Sequence, residues 1–246
     1  MKRILLALST ILLIAAPMAH ADFFDVLQKG LMISGISSSD SLDNATIVKG
    51  LKEALATGTE RAIVAVAKPD GYFGNQLIKI LLPEKLQKTA EVLKEVGFRE
   101  QVDDLVLSMN RAAEKAAPKA ASFFGEAIRQ MTLEDARGIL NGGDTAATKF
   151  FEKKTRAKLF EAFRPSVSKS MDQVGTARAY KEMTTKLEAL PFLSLAGGHT
   201  NLDLDAYVTE KALDGLFQMV AEEEKKIRTN PAARTTDLLR KVFGGK

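Results

Sequence analysis

Apolar residues recur along the chain at intervals of three and four positions, the spacing that places side chains on one face of an α-helix. The pattern is clearest at Val102, Leu105, Val106, Met109, Ala113 and Ala116. Comparable stripes begin at Ile47, Leu86, Ala121, Ala147, Tyr180 and Leu213. We therefore predict an all-α fold, a single multihelical bundle of nine or ten helices, whose longest helix runs from about Asp203 to Arg228.

Proline and glycine positions divide these stripes into helices. Pro83, Pro118, Pro165 and Pro231 each stand where a new helix is expected to begin, because the missing N–H has no partner to lose there. Gly58 lies within the first stripe, where glycine costs about 1 kcal/mol relative to alanine. It therefore indicates a close helix crossing.

One stretch departs from the helical pattern. Residues 69–71 read Pro-Asp-Gly, a turn signal, and Ile78 to Leu82 precede Pro83 as an extended apolar run. A short two-stranded piece, formed with residues 192–195, is the alternative to a wholly helical fold.

Two polar stretches between helices are interpreted as helix ends. Thr132 followed by Asp135 is typical of a capping box at a helix start. In the sequence NGGDT at 141–145, Gly142 suits a left-handed helix stop and Asp144 the next N-cap. A phosphate-binding loop is less consistent with this stretch, which lacks the lysine such loops carry.

The pairs Phe123-Phe124 and Phe150-Phe151 each require a wide buried face, because adjacent helical residues diverge by about 100°. We interpret both pairs as core. A lipid-sized pocket lined by the same rings is the alternative.

The N-terminus has the three-part layout of a secretory signal peptide. Lys2 and Arg3 precede an apolar run at 4–16, and Ala19 and Ala21 stand three and one positions before a cleavage point. The run is shorter than the ~20 residues of a membrane-spanning helix, so a retained anchor is the weaker alternative. We predict a cleaved signal at 1–21, a short helix and Ser-rich linker at 22–44, a single helical domain at 45–246, and a periplasmic location.

Composition narrows the functional classes. The 246-residue chain has no cysteine, so neither disulfides nor a lipidated N-terminal cysteine are expected. Removing residues 1–21 lowers the formal net charge from +4 to +2, because Lys2 and Arg3 are the only charges lost. Such a balance argues against a nucleic-acid partner. His199 is the only histidine left after cleavage, so we expect no metal site and no cofactor.

Glu224 is the candidate site residue, because the chemistry of its side chain conflicts with its position. It follows Val220 by four residues and precedes Ile227 by three, which places it on the apolar stripe. A carboxylate facing a core must be paired, hydrogen-bonded or protonated. An ion pair is favoured, and its candidate partners are Arg111, Arg129 and Arg137. A hydrolase acid and a solvated glutamate are the alternatives.

Four long stretches resemble the bacterial domain-of-unknown-function family 4197. They read SMNRAAEKA at 108–116, IRQMTLEDARGILNGGD at 128–144, YVTEKALDGLF at 207–217 and NPAARTTDLL at 230–239. The resemblance extends from about residue 42 to residue 244. It implies an exported helical protein, and it carries over no catalytic residues.

These observations favour a soluble, non-enzymatic periplasmic protein that binds a partner protein or an apolar, lipid-like ligand. The alternative is a carboxylate-based hydrolase of the cell wall with Glu224 as its acid. Sugar sites commonly stack rings on aromatic side chains, and this chain has no tryptophan and three tyrosines, which speaks against that alternative.

Overall fold

The structure, a computed structural model, describes residues 44–173 and 203–230. Within these ranges the chain forms seven α-helices and no strand: α1 (Asn44–Ala67), α2 (Glu84–Leu93), α3 (Arg99–Ala116), α4 (Ala120–Arg129), α5 (Leu133–Asn141), α6 (Ala146–Gln173) and α7 (Leu204–Thr229). A π-helical kink, Lys94–Phe98, joins α2 to α3, and a 3-10 turn, Ala117–Lys119, joins α3 to α4. The predicted all-α class is confirmed for these ranges. The expected nine or ten helices are corrected to seven within them.

The helix α7 packs against three other helices, α6, α1 and α3. Its apolar stripe, from Leu204 through Leu213 and Val220 to Ile227, is buried. Asp203 caps its N-terminus by accepting a hydrogen bond from the Ala206 N–H at 2.9 Å. The start predicted near Asp203 is therefore confirmed.

Pro165 does not begin a helix, because it lies inside α6. This helix is 28 residues long and therefore longer than α7. A proline inside a helix leaves the carbonyl four residues earlier without its donor. Here that carbonyl belongs to Glu161, and both Glu161 and Pro165 are exposed. Water can hydrate the carbonyl, so the helix tolerates the proline.

The ends of α5 follow the sequence prediction in one case and depart from it in the other. The capping box is present: Thr132 Oγ1 accepts from the Asp135 N–H at 3.1 Å, and the Asp135 carboxylate accepts from the Thr132 N–H at 3.0 Å. Gly142, however, is extended rather than left-handed, with φ −81°. A side chain there would place Cβ 2.5 Å from Cβ of Ala146, so the glycine is explained by close approach.

Two glycines mark the contacts of α7 with its neighbours. A Cβ at Gly58 would lie 3.3 Å from Cδ1 of Ile227, which agrees with the predicted close crossing. A Cβ at Gly215 would lie 2.6 Å from the ring of Tyr72 and 3.1 Å from Cβ of Ile78. The chain after α1 therefore packs directly onto the backbone of α7.

Candidate functional site

Glu224 is buried, with 8% of its surface exposed, and it caps another helix. Its Oε1 accepts from the Ala147 N–H at 2.9 Å, and its Oε2 accepts from the Thr148 N–H and hydroxyl, each at 2.8 Å. These N–H groups belong to the first turn of α6, where helical N–H groups have no carbonyl partner. Glu224 thus performs the capping role that the sequence analysis gave to Asp144.

The arginine beside Glu224 is Arg228, one turn further along α7. Its Nε and Nη2 donate to Glu224 Oε1 at 3.0 and 2.7 Å, and its Nη2 also donates to the Ile139 carbonyl at 2.8 Å. That carbonyl lies in the last turn of α5. The carboxylate therefore faces a helix N-terminus and the guanidinium a helix C-terminus, the favourable orientation for both helix dipoles.

The three arginines proposed as partners are placed elsewhere by the described contacts. Arg111 donates to Glu114 and to Asp70, both at 2.7 Å. Arg129 is exposed at the end of α4, where its carbonyl accepts from Lys52 Nζ. Arg137 lies on the exposed side of α5. The arginine that pairs with Glu224 in the described contacts is Arg228.

Glu114 forms a second carboxylate anchor of the same kind. It is 4% exposed, and its Oε1 accepts from the consecutive N–H groups of Tyr72 and Phe73 at 3.1 and 3.3 Å. The carboxylate also holds the pKa of the neighbouring Arg111 guanidinium above its usual range by hydrogen bonding. The anchor fixes the turn after α1, in which Asp70 adopts a φ of 63°.

Neither Glu224 nor Glu114 has the geometry of a general acid. Such a group must present a proton to a substrate within hydrogen-bond reach. Both oxygens of Glu224 already accept from protein donors, and the pocket beside it is a narrow apolar gap between α1, α5, α6 and α7. This arrangement holds helices together and leaves no room for a sugar ring.

In each of the two phenylalanine pairs, one ring is buried in the core and the other is partly exposed. Phe124 and Phe151 are fully buried, with ring centroids 5.0 Å apart. Phe123 and Phe150 are only partly buried and line a small cleft between α4 and α6. The core interpretation therefore applies to Phe124 and Phe151, whereas Phe123 and Phe150 lie at the edge of the core.

One side chain holds in place the segment that precedes α2. The Ile80 N–H donates to Asn110 Oδ1 at 2.8 Å, and Asn110 Nδ2 donates back to the Ile80 carbonyl at 2.8 Å. Both main-chain groups of Ile80 are thereby paired with a carboxamide on α3. Of the run predicted to be extended, Ile78 lies in a turn and residues 79–82 have no regular secondary structure. Within the described residues no strand pairs with this run, and residues 192–195 lie outside those ranges.

This pairing fixes the direction of the neighbouring main-chain groups. Peptide bonds in the described ranges are all trans, so the C=O and N–H of one peptide unit point in opposite directions. Since the Ile80 N–H and C=O point toward Asn110, the Lys79 C=O and the Leu81 N–H point away from it. Neither of these two groups has a hydrogen-bond partner in the described part of the chain.

Lys79 and Leu81 both line a groove of about 1420 Å³, counting the solvent at its mouth. Residues 77–85 form one wall, and Tyr207, Lys211, Asp214 and Gln218 of α7 are part of the other. We call this feature the α7 groove. The Tyr207 hydroxyl donates to the Leu81 carbonyl at 2.9 Å, and burial raises the pKa of this tyrosine.

The α7 groove has exposed apolar side chains at its edge. Leu77 is 73% exposed and Leu81 is 54% exposed, whereas the intervening Ile78 and Ile80 are buried. Exposed apolar residues grouped on one surface are typical of interaction sites. The groove could not be predicted from the sequence, because the wall contributed by α7 comes from residues more than 120 positions away from residues 77–85.

Neither a metal-binding cluster nor a membrane-spanning helix is found among the described residues. No group of three or more histidine, cysteine, aspartate or glutamate residues lies close enough to hold a metal ion. No described helix is both long enough and apolar enough to cross a bilayer.

Comparison with known proteins identifies a family. A family model described as "Protein of unknown function (DUF4197)" matches residues 41–244, which is most of the chain. No curated protein and no solved structure matches the chain.

Proposed function

We propose that this chain, which belongs to the DUF4197 family, is a non-enzymatic periplasmic protein that binds a segment of a partner protein in the α7 groove. The exposure of Leu77 and Leu81 beside the groove is the observation that carries this proposal. The periplasmic location is supported by the signal-like sequence at residues 1–21.

A protein segment fits the groove better than a lipid chain does. Lysine side chains and main-chain polar groups line the groove together with the leucines. An alkyl chain leaves polar groups without partners, and burying them in that state costs free energy. A polypeptide offers both apolar side chains and complementary donors and acceptors.

The cell-wall hydrolase alternative receives no support from its candidate residue. Glu224 accepts hydrogen bonds at both oxygens, and Arg228 pairs with it. We therefore interpret Glu224 as an anchor of the fold.

Site-specific photo-crosslinking in growing cells tests the proposal. A benzophenone amino acid at Leu77 should give a discrete crosslinked species, because that side chain projects beside the groove. The matched controls are the same amino acid at Leu133 and at Val64, which are 40% and 48% exposed on other helices. Equal crosslinking at all three positions, or none at Leu77, would overturn the proposal.

A further inference from the structure

The geometry points to main-chain recognition in the α7 groove: we infer that a peptide binds there in an extended conformation, as a strand added alongside residues 79–81. The inference deepens the proposed function and rests on it. Peptide recognition by strand addition takes its affinity from main-chain hydrogen bonds and its specificity from alternate side chains.

The segment offers one acceptor and one donor to such a peptide. These are the Lys79 C=O and the Leu81 N–H, which point away from Asn110 and lack partners in the described ranges. Main-chain groups without partners are uncommon once buried, so covering this surface favours a ligand that pairs with both.

The occupied groups select the direction of the peptide. The Lys79 N–H donates to the Asn75 carbonyl at 2.8 Å, and the Leu81 carbonyl accepts from Tyr207. In a parallel pair of strands, one residue of the ligand donates its N–H to the carbonyl of one receptor residue. The same ligand residue accepts from the N–H of the receptor residue two positions later. One residue opposite Ile80 therefore satisfies both open groups. In an antiparallel arrangement, two main-chain groups of the peptide would face the Lys79 N–H and the Leu81 carbonyl, which already have partners.

The receiving segment is already held in place by contacts with the rest of the protein. Asn110 brackets Ile80, and Ile78 and Leu82 are 6% and 5% exposed against the core. Binding therefore requires little ordering of the receptor. A preorganised surface retains more of the interaction free energy as affinity.

The side chains at the groove define the chemistry of the peptide. Leu77 and Leu81 favour apolar residues at alternate positions, because successive side chains of a strand point to opposite faces. Lys79, Lys85 and Lys211 outnumber the acidic groups Glu84 and Asp214 in the lining. The negative charge of Asp214 is moreover offset by Arg156, which pairs with it at 2.6 Å. The expected ligand is an extended, apolar segment that is neutral or acidic.

Binding of peptides selected from a phage-displayed random heptapeptide library to the purified mature chain tests the inference. Leu81→Pro removes the donor, and Leu81→Ala, the matched control, shortens the side chain but keeps the N–H. We expect the dissociation constant for Leu81→Pro to be roughly threefold to tenfold higher than for Leu81→Ala, the effect of one hydrogen bond.

N-methylation of each peptide amide in turn provides the second measurement, which does not depend on how a variant folds. One amide, that of the residue opposite Ile80, should be sensitive, because it donates to the Lys79 carbonyl. If peptides bind in the groove but tolerate both Leu81→Pro and every N-methyl group, strand addition is wrong and the proposed function stands. If no selected peptide competes with crosslinking at Leu77, strand addition and the proposed function are both wrong.

Discussion

Arg228 Nη2 lies 2.7 Å from Oε1 of Glu224, one turn away on α7, and together the two side chains hold the end of α5 and the beginning of α6. Each charge satisfies main-chain groups that the helices cannot satisfy themselves. The pair is therefore a junction between three helices, and its removal should affect the whole fold.

Glu224→Ala should lower the free energy of unfolding by about 3–5 kcal/mol, because it leaves a largely buried arginine without its carboxylate partner and two helical N–H groups without their acceptor. Glu224→Gln should cost less, since it keeps one acceptor oxygen, but still about 2 kcal/mol, since its amide NH₂ faces other donors. Urea denaturation measures both changes. The control is Glu222→Ala, a partly exposed glutamate on the same helix, which should stay within about 0.5 kcal/mol. Equal values for Glu224→Ala and Glu222→Ala would contradict the anchor role.

Gly215→Ala should destabilise the protein by about 1–3 kcal/mol, because the new Cβ would meet the Tyr72 ring at 2.6 Å. The matched control is Gly138→Ala in α5, where no atom lies within 4 Å of the added Cβ. That variant should gain up to about 1 kcal/mol from the higher helix propensity of alanine. Thermal unfolding compares the two. A stabilising Gly215→Ala would show that the contact with Tyr72 is looser than described.

The capping box gives a pH-dependent contribution to stability. The Thr132 N–H donates to the Asp135 carboxylate and lowers the pKa of Asp135 below its ordinary value of 3.8. A pKa that is lower in the folded protein stabilises it above the ordinary value, and this stabilisation is lost as the pH falls through the folded pKa. The difference in urea midpoint between the parent and Asp135→Asn should therefore shrink between about pH 5 and pH 2. A difference that stays constant over this range would contradict the prediction.

Amide hydrogen exchange should distinguish two neighbouring residues in the segment that precedes α2. The Ile80 N–H is bonded to Asn110, whereas the Leu81 N–H has no partner in the described ranges. We expect slow exchange at Ile80 and fast exchange at Leu81. Asn110→Ala should remove the protection at Ile80, and protection at both amides in the parent chain would show that the segment is paired on both sides.

Export remains a prediction from the sequence alone. Cleavage after Ala21 should give a mature chain that begins at Asp22. N-terminal sequencing of protein from the periplasmic fraction checks this, and a membrane-bound chain that still begins at Met1 would refute it.

The sequence predicted those features that depend on local spacing. The stripe around Leu213 gave α7 to within a residue at each end, and the pair Thr132 and Asp135 gave the start of α5. Apolar periodicity and capping are properties of residues a few positions apart, so they can be recognised without the fold.

The features that the sequence did not predict depend on how the helices are arranged in three dimensions. Asp144 is a good N-cap residue by type, yet α6 is capped by Glu224 from a distance of more than 70 positions. Pro165 is a good helix breaker by type, yet the carbonyl it leaves open faces water. Arg228, which pairs with Glu224, lies four residues away on the same helix, and its position depends on the end of α5 that it also binds.

The junction at Glu224 and Arg228 also bears on how the protein opens. Helix ends ordinarily fray independently, with little free energy required. Here the last turn of α7 cannot unwind without releasing the first turn of α6 and the last turn of α5. These three termini should therefore open as a single cooperative unit, and a chain cut after Ile227 should lose protection at Ala147 as well as in α7.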